Sequence, residues 1–168
     1  DRVETDKKRS QQILKTVMPT SVANELQSSG KVRSRRYDDV AIFICDLVGF
    51  TSFCEKNNPE LVVETLQGII ESFENTFEDF GLEKIKTVGD AIVAVAGLSS
   101  HATSPIKSCV DCAYKIREVA NSAPIPWDLH IGIHSGSLVA GTVGIKTVQF
   151  DILGKNVNIA FNICDKSD

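Results

Sequence analysis

Two aspartates of the sequence stand where apolar segments end. Asp46 follows the apolar run Val40–Cys45, and Asp90 separates the segments Glu83–Val88 and Ala91–Ala96. If these three segments are strands of one split βαβ arrangement, the first and third strands are neighbours and the two aspartates meet at one edge. Carboxylates that lie so close repel each other unless a cation or a proton lies between them.

These residue types favour a hard divalent cation that is bound together with phosphate. Carboxylate oxygens suit Mg²⁺ or Mn²⁺, and the phosphates of a substrate can complete the coordination shell. Gly49 follows Asp46 closely and allows backbone N–H groups to turn inward, which is a common way to hold phosphate oxygens. From the pattern alone, both aspartates are also compatible with ordinary turn residues.

The spacing of apolar residues predicts the elements that position the two aspartates. One helical stripe runs from Val62 to Phe80 after the helix-start pair Asn58-Pro59, and a second runs from Ile106 to Ala120. Three more short strands are predicted at 129–133, 138–143 and 148–152, and a last helix at 156–164. The order β-α-β-β-α-β-β-β-α predicts an α+β fold with a ferredoxin-like βαββαβ core and a mostly antiparallel sheet.

Length and composition narrow the classes of protein. The chain has 168 residues, of which 42% are hydrophobic, and this is enough for one domain with a buried core. The net charge of −4 argues against nucleic acid as a partner, because binding to a phosphate backbone requires a basic face. No run of about 18 apolar residues is present, so the sequence predicts no membrane span. The five scattered cysteines predict free, buried thiols.

Residues 1–36 are predicted to be a helical linker or signalling segment that precedes a catalytic domain at 37–168. The first helix is highly charged with few apolar positions, which is compatible with the end of a coiled coil. Pro19 opens a second short helix, and Gly30 ends it.

Four stretches of the sequence resemble the catalytic domains of class III nucleotidyl cyclases. They occur in the family's order and spacing, and the segment ILKTVMPTSVANEL (13–26) also resembles the family's helical entry segment. The resemblance covers residues 10–165 and implies the class III cyclase fold. The four stretches are FICDLVGFTSF (43–53), EKIKTVGDAIVAVAGL (83–98), IGIHSGSLVAG (131–141) and FDILGKNVNIA (150–160).

The resemblance implies a reaction in which the 3′-oxygen of a nucleotide attacks its own α-phosphorus and pyrophosphate leaves. It implies two Mg²⁺ or Mn²⁺ ions per site, bound by Asp46, Asp90 and the backbone carbonyl of Leu47. It also implies a homodimer in which each site is shared between two chains. The residues that the resemblance assigns to phosphate binding are Val48, Gly49, Phe50, Thr51 and Lys146.

Lys86 and Asp151 match the base-reading pair of the family's adenylyl members. A lysine donates to a ring nitrogen of adenine, and an aspartate accepts from the 6-amino group, so the resemblance implies ATP as substrate. Asn158 matches the asparagine that positions the ribose or the transition state. Taken singly, each of these residues is also compatible with a structural role, for example at a helix start or a hairpin end. On spacing alone, His130 and His134 are interpreted as structural.

The sequence departs from the family at Asn162, where the catalytic pattern has an arginine that stabilises charge on the α-phosphate. It also ends at Asp168, before the C-terminal part that the family domain usually has. We therefore expect an adenylyl cyclase of reduced activity, with Asn158 and Asn162 at the catalytic positions. The alternative is a weak or inactive module that binds nucleotide and dimerises for regulation. Either would be a cytoplasmic domain of a larger soluble or membrane-anchored protein with an upstream sensor.

Overall fold

The computed structural model describes residues 2–99 and 104–167 of the chain. These residues form helices and strands in an order that contains the predicted βαββαβ core. The helices are α1 (Arg2–Val17), α2 (Thr20–Ser29), α3 (Phe50–Lys56), α4 (Pro59–Phe80), α5 (Pro105–Asn121) and α6 (Lys155–Asp165). The strands are β1 (Arg35–Leu47), β2 (Leu82–Val88), β3 (Ala91–Ala96), β4 (Leu129–Val143) and β5 (Gln149–Leu153).

The strands form one antiparallel sheet in the order β2-β3-β1-β4-β5. The third strand therefore pairs with the first, as the split arrangement requires, and Cys45 of β1 lies opposite Ile92 of β3. This register places the end of β1 beside the turn that contains Asp90. The predicted α+β fold with an antiparallel sheet is confirmed.

Both faces of the sheet are buried. Alternate residues of β1 point to opposite sides, so this strand contributes side chains to an apolar cluster on each face. Phe43 packs with Phe73 and Phe77 under α4 and α5, and the rings of Phe43 and Phe77 meet edge to face at 5.5 Å. On the opposite face, Ile42 and Ile44 belong to a second cluster beneath α2 and α6. The central strand is thus held from both sides, which fixes the position of Asp46 at its end.

The helix boundaries follow the predicted start and stop residues. The side chain of Asn58 accepts a hydrogen bond from the N–H of Leu61 at 2.9 Å, and Pro59 is the first residue of α4. Gly81 ends α4 with a φ of 74°, a left-handed conformation that glycine adopts at little steric cost. Gly30 ends α2 in the same way.

The strand predictions at 129–133 and 138–143 are wrong in one respect, because β4 is a single strand from Leu129 to Val143. The Ser135-Gly136-Ser137 step resembles a turn in sequence. In the structure, β4 pairs with β1 on both sides of this step, and the register shifts between Tyr37 and Val40 of β1. An extra residue in β1 takes up the bend, so the pairing continues.

Two further differences concern the ends of β1. The strand begins at Arg35, whereas the apolar run in the sequence predicted a start at Val40. The short helix α3, Phe50–Lys56, follows β1 and was not predicted, since seven residues are too few to show a helical repeat.

The N-terminal helices differ in how firmly they contact the domain. Helix α1 has no buried residue, whereas α2 buries Val22 and Ala23 against the sheet. Among the described residues, no helix combines the length and the apolar character needed to cross a bilayer.

All five cysteines are free thiols, as predicted. Four of them are buried, and burial raises the pKa of Cys109 and Cys112 to about 12. These thiols remain protonated at neutral pH and act as small apolar side chains.

Candidate active site

Asp46 and Asp90 lie together in one open pocket at the end of β1. The pocket has a volume of about 520 Å³. It forms where β1, the β2–β3 turn and the start of β4 meet, because Asp46 pairs across the sheet with His130. The residues that line it are Asp46, Leu47, Val48, Gly49, Phe50, Thr51, Ser52, Glu55, Asp90 and His130.

The carboxyl group of Asp46 is electrostatically unsatisfied in this pocket. The pKa of Asp46 is raised to about 6, first by burial and then by the hydrogen bond and the charge of Asp90. The backbone N–H of Leu47 and the charge of His130 oppose the shift. The Oδ1 atom of Asp46 is buried and has no hydrogen-bond partner among the described residues.

These observations fit a divalent cation. A buried carboxylate oxygen without a donor, facing a second carboxylate, is stabilised by a cation of the hard, oxygen-preferring kind. Among residues 2–99 and 104–167, no three acidic, histidine or cysteine side chains cluster as a complete metal site. Such a cation would therefore need further oxygens, from the backbone of Leu47 and from the phosphates of a substrate.

The turn after Asp46 presents backbone donors to the same pocket. Gly49 has a φ of 78°, and α3 begins immediately after it at Phe50. The N–H groups in the first turn of a helix have no acceptor within the helix, so those of Phe50 and Thr51 are oriented to bind an anion. The N–H of Val48 is different, because it donates to the carbonyl of Asp128 at 2.9 Å. Val48 can therefore shape the predicted phosphate site but cannot donate this hydrogen bond to it.

Aromatic packing holds this turn in place. The ring of Phe50 lies 5.9 Å from that of Trp127, and the ring of Phe53 meets Trp127 edge to face at 5.2 Å. Trp127 is 6% exposed and belongs to the core beneath the sheet. The turn after Asp46 is thus anchored to the buried core through α3.

Lys86 and Asp151 form a second, separate site. The Nζ atom of Lys86 lies 2.9 Å from Oδ1 of Asp151, and both side chains are largely buried, with 22% and 19% of their surfaces exposed. The same Oδ1 atom accepts a hydrogen bond from the N–H of Ile152 at 2.8 Å. Each charge of the pair is therefore satisfied within the protomer.

This ion pair joins the two outer strands of the sheet. Lys86 lies on β2 and Asp151 on β5, which are the first and last strands in the sheet order. The sheet bends far enough for these strands to contact each other. The register of β2 shifts between Lys84 and Lys86, so Lys84 pairs with Glu74 of α4 while Lys86 reaches β5.

The remaining predicted site residues are exposed and lie apart from the acidic pocket. Asn158 and Asn162 are one turn apart on the exposed side of α6, and Lys146 lies in the loop between β4 and β5. None of these three lines the pocket of Asp46, and neither do Lys86 and Asp151. We call the pocket of Asp46 and Asp90, where the sequence predicts metal binding, the metal half, and the pair Lys86–Asp151, where it predicts base reading, the base half. One protomer presents the two halves at different places.

Three pocket residues were not among the predicted site residues. His130 was interpreted as structural, but the structure places it opposite Asp46 in the pocket. Ser52 and Glu55 reach the pocket from α3, the helix that the sequence pattern did not indicate. The register of β1 with β4 is the signal that identifies His130, and it is known only once the sheet is known.

Comparison with known proteins identifies the family. The family model "Adenylate and Guanylate cyclase catalytic domain" matches residues 32–166. The chain belongs to this family. The matched range contains the acidic pocket, the Lys86–Asp151 ion pair and α6. The match confirms the resemblance found in the sequence.

Curated relatives of the chain include several guanylate cyclases. The cyclase domain is 32% identical over 162 residues to the human guanylate cyclase soluble subunit alpha-2, covering 94% of this chain and 22% of that protein. It is 29% identical to the membrane guanylyl cyclase of Dictyostelium discoideum, covering 94% of this chain and 11% of that protein. The chain thus spans less than a quarter of the length of these relatives.

Solved structures share the fold. The catalytic core of a rhodopsin-guanylyl cyclase with converted specificity, in complex with ATPαS, superimposes with a TM-score of 0.77 at 24% identity and covers 81% of this chain and 76% of that one. The adenylyl cyclase CyaB from P. aeruginosa gives a TM-score of 0.70 at 20% identity and covers 82% and 75%. At these identities the similarity supports the fold of the cyclase domain and leaves its substrate to be argued from its own residues.

Proposed function

We propose that this domain converts ATP to 3′,5′-cyclic AMP and pyrophosphate at the interface of a homodimer. The observation that carries the proposal is the convergence of Asp46 and Asp90 in one pocket, beside a turn with free backbone donors. Such an arrangement suits a nucleoside triphosphate with two Mg²⁺ or Mn²⁺ ions, held by Asp46, Asp90 and the carbonyl of Leu47.

In the proposed reaction, the 3′-oxygen of ATP forms a bond to the α-phosphorus and loses its proton. The bond from the α-phosphorus to the bridging oxygen breaks, and pyrophosphate leaves with the electron pair. When bound, the cations supply Lewis acidity at the 3′-hydroxyl and neutralise phosphate charge. Phe50 and Thr51 hold phosphate oxygens with their N–H groups, and Lys146 supplies a positive charge for the triphosphate.

Lys86 and Asp151 select the base in this proposal. Lys86 donates to a ring nitrogen of adenine, and Asp151 accepts from the 6-amino group. Guanine presents the reverse pattern, with an acceptor at position 6 and a donor at the ring nitrogen. The donor of Lys86 would then face a donor, and the acceptor of Asp151 would face an acceptor. A site that leaves such groups unpaired discriminates strongly against the wrong ligand.

The separation of the two halves supports a homodimer. Domains of this family act as dimers on a nucleotide substrate. In this chain, the base half and α6 would have to come from the partner to complete the site of Asp46. The exposed aliphatic side chains near these groups give the second copy a surface to bury. They are Val139, Val143, Ile145, Val148, Leu153, Ile159 and Ile163.

We infer that the N-terminal helices carry input from an upstream sensor domain. The junction between α1 and α2 lines a cleft of about 750 Å³ together with Lys86 and Phe150. A change in the orientation of α1 would therefore alter the cleft that Lys86 of the base half lines. We propose that this is a cytoplasmic domain of a larger soluble or membrane-anchored protein.

A weak or inactive cyclase-like module is the second candidate function. Asn162 occupies the position at which the family pattern has an arginine, and its side chain carries no charge. A domain that binds ATP and dimerises would need Lys86, Asp151 and the acidic pocket but not the missing cation. The rate of cyclic AMP formation separates this candidate from the first.

The test is a complementation experiment with two inactive variants. Asp46→Asn removes a carboxylate of the metal half, and Asn158→Ala removes the asparagine of the partner half. Each variant alone should be reduced by on the order of 10³-fold in cyclic AMP formation with Mn²⁺. Mixed in equal amounts, they form heterodimers with one intact site, so activity should return to about a quarter of the wild-type value.

The control is Asp38→Asn, which changes an exposed aspartate of the same strand. Asp38→Asn should be as active as the wild type. When it is mixed with either inactive variant, cyclic AMP formation should not exceed the activity that the added Asp38→Asn protein has by itself. If the wild type forms neither cyclic AMP nor cyclic GMP, the module interpretation is favoured. If it uses GTP faster than ATP, the base assignment fails while the metal half stands.

A further inference from the structure

Helix α6 approaches β4 closely because two glycines form the contact surface of the strand. Gly132 and Gly136 lie on one face of β4, since residues four apart in a strand point the same way. A Cβ atom on Gly132 would lie 2.5 Å from the carbonyl oxygen of Ala160 and 2.5 Å from the N atom of Cys164. A Cβ atom on Gly136 would lie 2.5 Å from Nδ2 of Asn156. Only hydrogen at these positions lets α6 pack at this distance.

A buried polar pair fixes the first turn of α6 between these glycines. Asn156 is 9% exposed, and its Nδ2 atom donates to the carbonyl of Ser137 at 2.8 Å. Its Oδ1 atom lies 3.0 Å from Nε2 of His134. Because Nδ2 is the donor, Oδ1 must accept, and His134 therefore carries its proton on Nε2. The hydrogen bond persists in both the neutral Nε2–H tautomer and the imidazolium form.

The geometry of a helix connects this pair to the exposed side of α6. Asn158 follows Asn156 by two residues, which is about 200° around the helix axis, so it points away from the sheet when Asn156 points into it. Asn162 lies one turn beyond Asn158. A displacement of Asn156 would thus rotate or shift both asparagines relative to anything bound outside α6.

We propose that His134 and Asn156 form a positioning pair that sets the orientation of Asn158 in the cyclisation reaction. The inference rests on the proposed function, in which Asn158 contacts the ribose or the transition state. His134 touches neither substrate nor metal in this view and acts only through Asn156. Val157, Ala160 and Cys164 keep α6 packed by apolar contacts when the pair is broken, so the helix remains while its first turn loses its fixed position.

The experiment compares His134→Ala with His134→Gln in the whole chain. The amide nitrogen of glutamine can occupy the place of Nε2 and donate to Asn156, whereas alanine cannot. His134→Ala should lower kcat by about 10- to 100-fold with KM for ATP changed less than about two-fold, because small errors of position reduce turnover more than binding. His134→Gln should recover most of the lost kcat. The double variant His134→Ala, Asn156→Ala should be no slower than Asn156→Ala alone, because the two residues act as a unit.

The matched control is Thr76→Val, which also removes a hydrogen bond of a buried side chain. Thr76 donates to the carbonyl of Ser72 within α4, on the other face of the sheet. It should lower stability without changing kcat. Equal losses of kcat in Thr76→Val and His134→Ala would overturn the proposal, because both would then reflect general destabilisation.

Amide hydrogen exchange without nucleotide gives a readout that does not depend on activity. In His134→Ala, exchange should be faster across residues 157–163 of α6 and unchanged in α4. Unchanged exchange in α6 would overturn the anchoring of the helix by this pair. If the wild type makes no cyclic nucleotide, the proposed function fails, and the exchange experiment still decides whether the pair fixes α6.

Discussion

The two halves of the proposed site differ in how well each satisfies its own charges. In the base half, the lysine and the aspartate are oppositely charged, 2.9 Å apart, and further supported by a backbone N–H. In the metal half, Asp46 and Asp90 carry like charges, and an oxygen of Asp46 is buried with no donor from the part of the chain that the structure describes. The charges of the base half are paired before a ligand binds. The carboxylates of the metal half are stabilised when a cation or a proton binds between them.

The difference indicates which half changes most on binding. A preformed pair keeps its geometry and serves mainly to discriminate between bases. Cation binding stabilises a pocket with unsatisfied carboxylates, so the folded protein is more stable with the cation than without it. Affinity for the metal and affinity for the base should therefore respond to different mutations, and this separation can be tested.

The largest effect is expected from Asn162→Arg, which would restore a positive charge at the position where the family pattern has an arginine. Cationic side chains that stabilise the transition state in other phosphoryl transfers are worth about 10³–10⁵ in rate. An arginine placed without its usual support should recover part of this, and we expect kcat for cyclic AMP formation to rise by about 10-fold or more. Asn162→Gln is the matched control, because it lengthens the side chain without charge. A rate no higher in Asn162→Arg than in Asn162→Gln would show that the missing charge does not limit turnover.

An intermediate effect is expected from breaking the base half. Lys86→Met leaves the partly buried Asp151 without its partner, so kcat/KM for ATP should fall by about 5- to 10-fold. The preference for ATP over GTP should fall with it. Lys84→Met is the matched control, since Lys84 lies on the same strand and also forms an ion pair, with Glu74 on the other face of the sheet. An unchanged ratio of ATP to GTP use in Lys86→Met would contradict the assignment of base reading.

The smallest effect is expected on the stability of the metal-free protein as a function of pH. The pKa of Asp46 is raised to about 6 in the folded protein, so the folded state holds this proton more tightly than the unfolded chain does. The stabilisation that comes from the proton is complete below the ordinary aspartate pKa and is lost as the pH rises through about 6. Asp46→Asn should remove this dependence and raise the melting temperature at pH 7.5 by about 2–5 °C.

Thermal unfolding with and without Mn²⁺ completes this measurement. The cation should raise the melting temperature of the wild type at pH 7.5 and leave that of Asp46→Asn nearly unchanged. Asp38→Asn should follow the wild type in both respects. If the metal-free wild type is more stable at pH 7.5 than metal-free Asp46→Asn, the like charges of Asp46 and Asp90 do not destabilise the folded protein.

The sequence was sufficient for those parts of the fold that depend on local patterns. The stripe from Val62 to Phe80 and the capping residues Asn58 and Gly81 predicted α4 almost to the residue. The order of strands and helices was enough to place Asp46 and Asp90 side by side, because the topology leaves few alternatives. Helix α3 was missed because it is short, and β4 was divided because Gly136 resembles a turn.

The parts that could not be predicted depend on how distant elements meet. His130 enters the pocket only through the register of β4 with β1, and Val48 loses its free N–H to Asp128 in a loop far along the chain. The direct contact of Lys86 with Asp151 requires a sheet that bends until its outer strands touch. Sequence spacing carries no information on bending of this kind, which results from the twist accumulated over all five strands.

The contact between β2 and β5 also bears on the solubility of the domain. An open antiparallel sheet leaves unpaired N–H and C=O groups along its two outer strands, where strands of other molecules can add and start aggregation. Here those strands lie against each other and are joined by a partly buried ion pair. The bend that brings Lys86 and Asp151 together thus leaves less backbone open to foreign strands, so the pair proposed to read the base would also help to keep the molecule in solution.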